Sequence, residues 1–473
     1  MTSSLSTQEI FERARAASRQ SAEVPLAQRH DRLARLQRLL DENEAALAAA
    51  VDADFGGRGA RLTEIADLFL LRGMLGDLRR HLGRWSRPRR ARTPLYLMPG
   101  RGHIQRQPLG VVGIIGPWNY PLQLTLGPAA TALAAGNRVL LKPSELTPRS
   151  SALMAELVAR HFAPEEFHVV LGGPDVAAEF AALPFDHLFF TGSTAVGRKV
   201  AEAAARNLTP TTLELGGKSP CIVDASCDDL AGAALKIAHG KLLNGGQTCI
   251  APDYVLLPRG REQAFTEAYR AAVARLFPRI DGNPDYAAIV TDRHHARLLA
   301  LLDEARAAGA KVEDVAPAAA DPTDDAQRQL RPALVFGASP ELRLMQEEIF
   351  GPVLPVLPCD SAQDAIVHIN AGPRPLALYW FGSDGAARDA VLRGTVSGGV
   401  TVNDTLLHIA HDGLPFGGIG ESGWGAYHGE TGFLRFTHQK SVFVQSRWAA
   451  GHLLYPPYGA RFDRVMGWIR KLL

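Results

Sequence analysis

A parallel α/β architecture is the fold class this sequence predicts, on three observations. From Val111 onward, short apolar runs of strand length alternate with helical patterns, the pattern of βαβ units with helices on both faces of a sheet. After Asp228 the alternation starts afresh, so a second α/β unit is expected. The 473 residues, 46% hydrophobic and 21% charged, are ordinary globular material and long enough for two or three sizeable domains. Neither an internal repeat nor a low-complexity linker divides them.

Residues 5 to 80 read as helices. Leu33, Leu36, Leu39 and Leu40 recur at helical spacing, and the run from Glu42 to Val51 is rich in alanine. Residues 79 to 92 carry seven arginines, ending in Arg87-Pro-Arg-Arg-Ala-Arg92. Such a run can mark an anion or nucleic-acid surface, but the net charge of +2 gives no reason to propose a nucleic-acid partner, and a solvated connector is expected. Strands are predicted at 111–115, 139–141, 168–171, 187–190, 212–215 and 221–223, with helices at 151–161, 175–182 and 194–206 among them. The second unit opens with a helix ending near 243, then a strand at 254–257 and long helices at 262–276 and 291–308. A strand-like run at 399–403 leads into the glycine-rich loop 414–423. At the end, Phe462, Val465, Met466, Ile469 and Leu472 form one apolar helical face beside Arg461, Arg464, Arg470 and Lys471. That face is expected to pack against the body or a partner subunit rather than lie on a membrane.

Cys221, Cys227, Cys249 and Cys359 form no CxxC or Cys/His cluster, which argues against a disulfide scaffold and against a metal site. Free thiols suit a reducing compartment. The first ten residues lack a basic start with an apolar run, and no apolar stretch is long enough to span a bilayer. A cytoplasmic location is expected.

Six stretches carry possible chemistry. Asn244-Gly-Gly-Gln-Thr-Cys-Ile250 sets Cys249 among small and polar residues after a helical pattern. A thiolate there would be nucleophilic, yet an unperturbed thiol ionises near pH ~8.5, so ionisation needs help. Read alone, the favoured reading is a small buried hydrophobe. Gly192-Ser-Thr-Ala-Val-Gly197 follows a strand and opens a helix, where backbone N–H groups could face a phosphate. It is neither a Walker A loop nor a standard GxGxxG, and a tight turn would look the same. A formal GxGxxG at 418–423 has no helix signal after it and is set aside. Lys142 and Glu145 sit at a strand end, the usual ligand edge of open α/β sheets, or in an ordinary charged loop. Glu214 interrupts an apolar run just before two glycines, as a desolvated general base or as one partner of an ion pair. Asn119 offers an amide at another strand end, or forms a turn. Glu347-Glu-Ile-Phe-Gly-Pro352 adds a further carboxylate, at a helix end if read alone.

The set is more specific than its members. Asn119, Lys142, Gly192, Glu214, Cys249 and Glu348 stand in the order and contexts of an aldehyde dehydrogenase, which the chain resembles from roughly 33 to 444. Ile115-Gly-Pro-Trp-Asn-Tyr-Pro121, Asn244 to Tyr254, Leu376-Ala-Leu-Tyr379 and Leu414 to Gly429 resemble the short, class 3-like branch, and within it the bacterial coniferyl-aldehyde dehydrogenases.

The resemblance implies two Rossmann-like domains: a cofactor domain at 1–80 and 107–215 and a catalytic domain at 216–426. A bridging oligomerisation arm would combine 81–106 with 427–447, followed by the amphipathic tail 448–473, and a homodimer is expected. It implies Cys249 as nucleophile, Asn119 as oxyanion donor and Glu214 as the base that activates water. Trp118, Lys142, Ser144, Glu145, Gly192, Ser193, Gly197, Leu215, Gly216, Glu348 and Phe350 would bind the cofactor. That cofactor is NAD, with NADP possible, because Glu145 at the ribose would repel a 2′-phosphate. The implied substrate is a small-molecule aldehyde of aromatic, coniferyl type, with Trp118, Tyr120 and residues 408–412 at the entrance. Alternatives are a medium- or long-chain aliphatic aldehyde, a CoA-acylating relative and a non-catalytic homologue. Gly246 stands where relatives often carry Ala or Ser, and it is expected to loosen the Cys249 loop.

Overall fold

A computed structural model describes residues 6–21, 23–317 and 328–471. Leu472 of the tail face and residues 1–5 of the stretch searched for a leader lie outside the described residues.

The architecture is mixed α/β, built on two largely parallel sheets. The first has six strands in the order Gly423–Trp424, Thr211–Glu214, His187–Thr191, Val111–Ile115, Arg138–Lys142 and Phe167–Val169, with only the two-residue edge strand antiparallel. Helices cover both faces, so strands such as Val111–Ile115 are buried along their whole length and read as unbroken apolar runs. The chain winds outward from Val111–Ile115 through Arg138–Lys142 to Phe167–Val169, then returns to His187–Thr191 on the other side. That reversal makes a crevice at the carboxyl ends of the two central strands, where open α/β sheets take their ligands.

The second sheet has seven strands, in the order Lys311–Asp314, Ala333–Phe336, Val353–Pro358, Tyr254–Leu257, Pro220–Val223, Ala377–Phe381 and Gly399–Val402. Only Lys311–Asp314 runs antiparallel to its neighbour. A third, antiparallel sheet centres on Arg101–Pro108, flanked by Arg89–Ala91 and by Thr437–Val444, which pair from Arg101↔Val444 to Pro108↔Thr437.

The strands expected at 111–115 and 254–257 and the helix at 262–276 have the expected bounds, and the other expected strands and helices are present with shifted ends. The arginine-rich run is not one connector. Arg79, Arg80 and Arg84 lie on the helix Phe69–Trp85, while Arg89 and Arg90 lie on the exposed strand Arg89–Ala91. The tail helix Ala460–Arg470 forms, with Phe462, Val465, Met466 and Ile469 of its apolar face half-buried. No described helix is long and apolar enough to cross a membrane.

Candidate active site

Four strands of the first sheet end on one cavity of about 1600 Å³. Val111–Ile115 runs into Trp118 and Asn119, Arg138–Lys142 ends on Lys142, His187–Thr191 runs into Gly192 and Ser193, and Thr211–Glu214 ends on Glu214. The second sheet contributes loops that precede its strands: Cys249 ahead of Tyr254–Leu257, and Glu348 and Phe350 ahead of Val353–Pro358. Ser144, Glu145, Leu215 and Gly216 line the same cavity. Tyr120, expected at the entrance, is buried and does not line it, and of the expected catalytic and cofactor residues Gly197 alone does not. It lies inside the helix Thr194–Ala205, where a Cβ would come within 2.6 Å of the Leu215 side chain, so its glycine serves helix-to-sheet packing.

Cys249 is half-buried and its thiol is free. Burial raises its pKa, and the nearby Glu348 and Glu214 carboxylates raise it further, while its own N–H and that of Ile250 act the other way. The sulfur therefore rests as a thiol and ionises only when its proton has somewhere to go. Glu214 is 3% exposed, and neither carboxylate oxygen has a hydrogen-bond partner. Burial raises its pKa well above the carboxylate range, opposed by Arg435. Glu348 is pushed up to about 8, first by burial and then by Asp253. Gly216 makes room for Glu348, because a Cβ there would overlap its carboxylate.

The loop that carries Cys249 is tied down closely. Asn244 and Gly245 adopt positive φ (55° and 62°). The buried Gln247 side chain donates to the carbonyls of Asn244 (2.8 Å) and Ala288 (3.0 Å) and accepts from the Val290 N–H (2.9 Å). The Asn119 amide donates to the Gln247 carbonyl at 3.1 Å, and the Tyr120 hydroxyl lies 2.5 Å from the Thr248 hydroxyl. Gly246 does not loosen this loop. At φ 80° a Cβ would overlap the Gly351 carbonyl, so the glycine lets the Cys249 loop press onto the Phe350 loop.

Lys142 is 1% exposed; its ammonium donates to the Pro143 carbonyl (2.7 Å) and lies 3.7 Å from Glu145, and burial lowers its pKa. Residues 192–196 open the helix Thr194–Ala205 onto the cavity, with Ser193 as its N-cap. N–H groups and the positive helix end face any anion there. Phe350 holds φ at 53°, a costly conformation for a side-chain-bearing residue. Its ring stands edge-on to Trp118 at 5.3 Å, and His294 meets Trp118 from another side at 5.2 Å. His408, expected at the entrance, is buried instead; it bonds the Thr401 hydroxyl at 2.9 Å and stacks on Phe416.

Sequence reading missed the supports. Gln247 and Asn244 stood inside a quoted motif without a role. Arg58 and Asp67 went unremarked, although a carboxylate between Ala66 and Leu68 in a helical stretch was a signal of the kind that singled out Glu214. Among the described residues no group of His, Cys, Asp and Glu is placed to hold a metal.

A sequence profile described as the aldehyde dehydrogenase family matches residues 2–442. The coniferyl aldehyde dehydrogenase of Pseudomonas sp. (strain HR199) is 46% identical over 447 residues, covering 93% of this chain and 92% of that relative. The solved substrate-bound state of Staphylococcus aureus AldH superposes with a TM-score of 0.92 at 35% identity, covering 98% of this chain and all of that one. A Mycobacterium tuberculosis aldehyde dehydrogenase solved with NAD+ gives a TM-score of 0.83 at 28% identity, over 93% of this chain and 89% of that one.

Proposed function

This chain belongs to the aldehyde dehydrogenase family, and from that premise we propose that it oxidises an aromatic, coniferyl-type aldehyde to its carboxylic acid with NAD. The observation that carries the reading is the convergence of Cys249, Asn119, Glu214 and Glu348, from four separate stretches of chain, on one cavity.

In this reading the Cys249 thiol passes its proton to water in the cavity, and the sulfur attacks the aldehyde carbon. A C–S bond forms, and the carbonyl π electrons move to oxygen, giving a thiohemiacetal anion. The Asn119 amide, which here donates to Gln247, and the Cys249 N–H donate to that oxygen; losing one such donor costs about a hundredfold or more in rate. A dinucleotide held here would supply the acceptor for the hydride that the carbon loses. Cys249 then carries a thioester. Glu214 takes a proton from the water that attacks it, and the acid leaves as the sulfur is released. A buried carboxyl without partners is suited to that step, since nothing but water or substrate competes for its oxygens. The same carboxylate favours hydrolysis over transfer to CoA.

The residues present fit a dinucleotide. The helix opening at Gly192 and Ser193 would take the pyrophosphate; Lys142, Ser144 and Glu145 would take the adenosine ribose. Glu348 and Phe350 would take the nicotinamide ribose and ring, with Trp118, Leu215 and Gly216 completing the wall. Glu145 beside Lys142 would repel a 2′-phosphate, which supports NAD over NADP. The edge-on rings of Trp118, Phe350 and His294 suit a planar aromatic substrate. Initial rates for cinnamyl-type, benzyl and straight-chain aldehydes with each cofactor test both points. The cinnamyl-type aldehyde with NAD should give the highest kcat/KM, by about tenfold (~1.4 kcal/mol). A straight-chain aldehyde in that place would sink the aromatic reading, and NADP in that place would remove the assigned role of Glu145.

The reading includes a homodimer formed through the three-stranded arm. Thr437–Val444 is its outer strand, with Phe443 and Val444 exposed, and an edge of that length invites pairing. Light scattering should return twice the chain mass, and a monomer at micromolar concentration would end this part of the reading. The free thiols suit the reducing cytoplasm.

A further inference from the structure

We propose that the buried ion pair between Arg58 and Asp67 is a positioning device for Asn119, fixing where that amide stands when the aldehyde oxygen becomes negative. This rests on the reading of Asn119 as an oxyanion donor. Both side chains are 0% exposed, and Arg58 Nη2 donates to Asp67 Oδ2 at 2.5 Å. Arg58 Nη1 donates to the main-chain carbonyl of Asn119 at 2.7 Å, and Asn244 Nδ2 donates to the same oxygen at 3.0 Å. The second Asp67 oxygen accepts the N–H groups of Leu122 (3.2 Å) and Gln123 (2.9 Å), where the buried helix Gln123–Ala134 begins. The pair thus grips the turn at both ends: the carbonyl at Asn119, and the amides where the turn enters the helix.

Packing alone does not call for charges at this place. A buried ion pair gains little or nothing over well-fitted apolar side chains, because both ions must be desolvated. What the pair adds is direction. A guanidinium fork and a two-oxygen carboxylate fix the groups they bind in angle as well as distance. The guanidinium is further confined between the Phe55 and Tyr120 rings, 5.0 Å from each. Asp67 lies within a π-helical turn, Glu64–Leu68, between the helices Ala60–Thr63 and Phe69–Trp85. Such turns concentrate at functional sites. An oxyanion donor is the kind of group that needs such confinement, since it acts by standing in place before the charge develops.

Neither residue is placed to touch substrate, so both are positioning residues, and the test must separate positioning from folding. Arg58→Met, Arg58→Lys, Asp67→Asn and Asn119→Ala are made singly, and both Arg58 changes are also made in the Asn119→Ala background. Aldehyde kcat/KM, KM for NAD, the pre-steady-state NADH burst and thermal unfolding are measured. Arg58→Met should lower aldehyde kcat/KM and the burst rate by about 30-fold, less than the roughly hundredfold loss of the donor itself, with KM for NAD unchanged. Arg58→Lys should recover part of that loss, and Asp67→Asn should show a smaller one. In the Asn119→Ala background the Arg58 changes should cost less than about threefold, because the group they position is gone. Full additivity between Arg58 and Asn119, or wild-type burst rates in a folded Arg58 variant, would overturn the proposal. Should Arg58→Met not fold, the Arg58→Lys cycle decides by the same criterion. Wild-type rates in Asn119→Ala would instead remove the reading of Asn119, whatever Arg58 does.

Discussion

Cys249→Ala protein should make no measurable NADH from any aldehyde, a loss of at least about four orders of magnitude in kcat, as when a covalent nucleophile is deleted elsewhere. The expectation depends on chemistry and not on folding. Alanine keeps the backbone of a loop already fixed by Gln247, Gly246 and Asn244, so NAD binding, followed by fluorescence quenching, should persist. A companion measurement separates this thiol from the others. Cys221, Cys227 and Cys359 are buried, whereas Cys249 is half-buried in the cavity wall. Brief iodoacetamide treatment of the native protein should therefore attach about one carboxamidomethyl group per chain, at Cys249, with activity lost in step. Because burial holds this thiol protonated, alkylation should be slow at neutral pH and quicken as pH rises. Undiminished turnover in the alanine variant would end the covalent mechanism.

The sequence carried the site further than the fold around it. Asn119, Glu214, Cys249 and Glu348 were legible as a set, by their order and local contexts more than one by one, and the structure places all four on one cavity. The helix Gln123–Ala134 was not legible, because all twelve of its residues are buried and its apolar side chains follow no helical period. The strands Ala333–Phe336 and Val353–Pro358 escaped for a related reason: short apolar runs cannot be told from helix segments without their neighbours. Gly246 shows a different limit. Its conformational freedom suggested a loose loop, whereas its use here is the absence of a Cβ against Gly351, a contact more than a hundred residues away that no local pattern encodes. The Arg58–Asp67 pair was hidden likewise, since its meaning lies in the Asn119 carbonyl that it holds.

Glu214→Gln should divide the reaction in two and stabilise the fold at the same time. Acylation of Cys249 and the first hydride transfer do not need this carboxylate as base in the proposed mechanism, so a burst of about one NADH per active site should remain. Steady turnover should then fall by about 10²–10⁴-fold, the range typical for loss of a general base. Stopped-flow absorbance resolves both phases, and an unchanged steady state would remove Glu214 from its role. The stability effect follows from linkage. Burial raises the native pKa of Glu214 well above its unfolded value, so above the unfolded pKa the unfolded chain sheds a proton that the native protein retains. Its contribution to stability is therefore fully present below the unfolded pKa and is lost as pH rises through the native one. Glutamine does not titrate and escapes that loss. The melting temperature of the variant relative to the parent should accordingly be near level at pH 4 and increasingly favourable toward pH 8. In the parent, turnover should climb over the same interval as the base form appears, and that acid limb should vanish in the variant. A variant no more stable than the parent at pH 8 would mean that the native carboxyl is not held neutral, and the raised pKa on which its role as base depends would be gone.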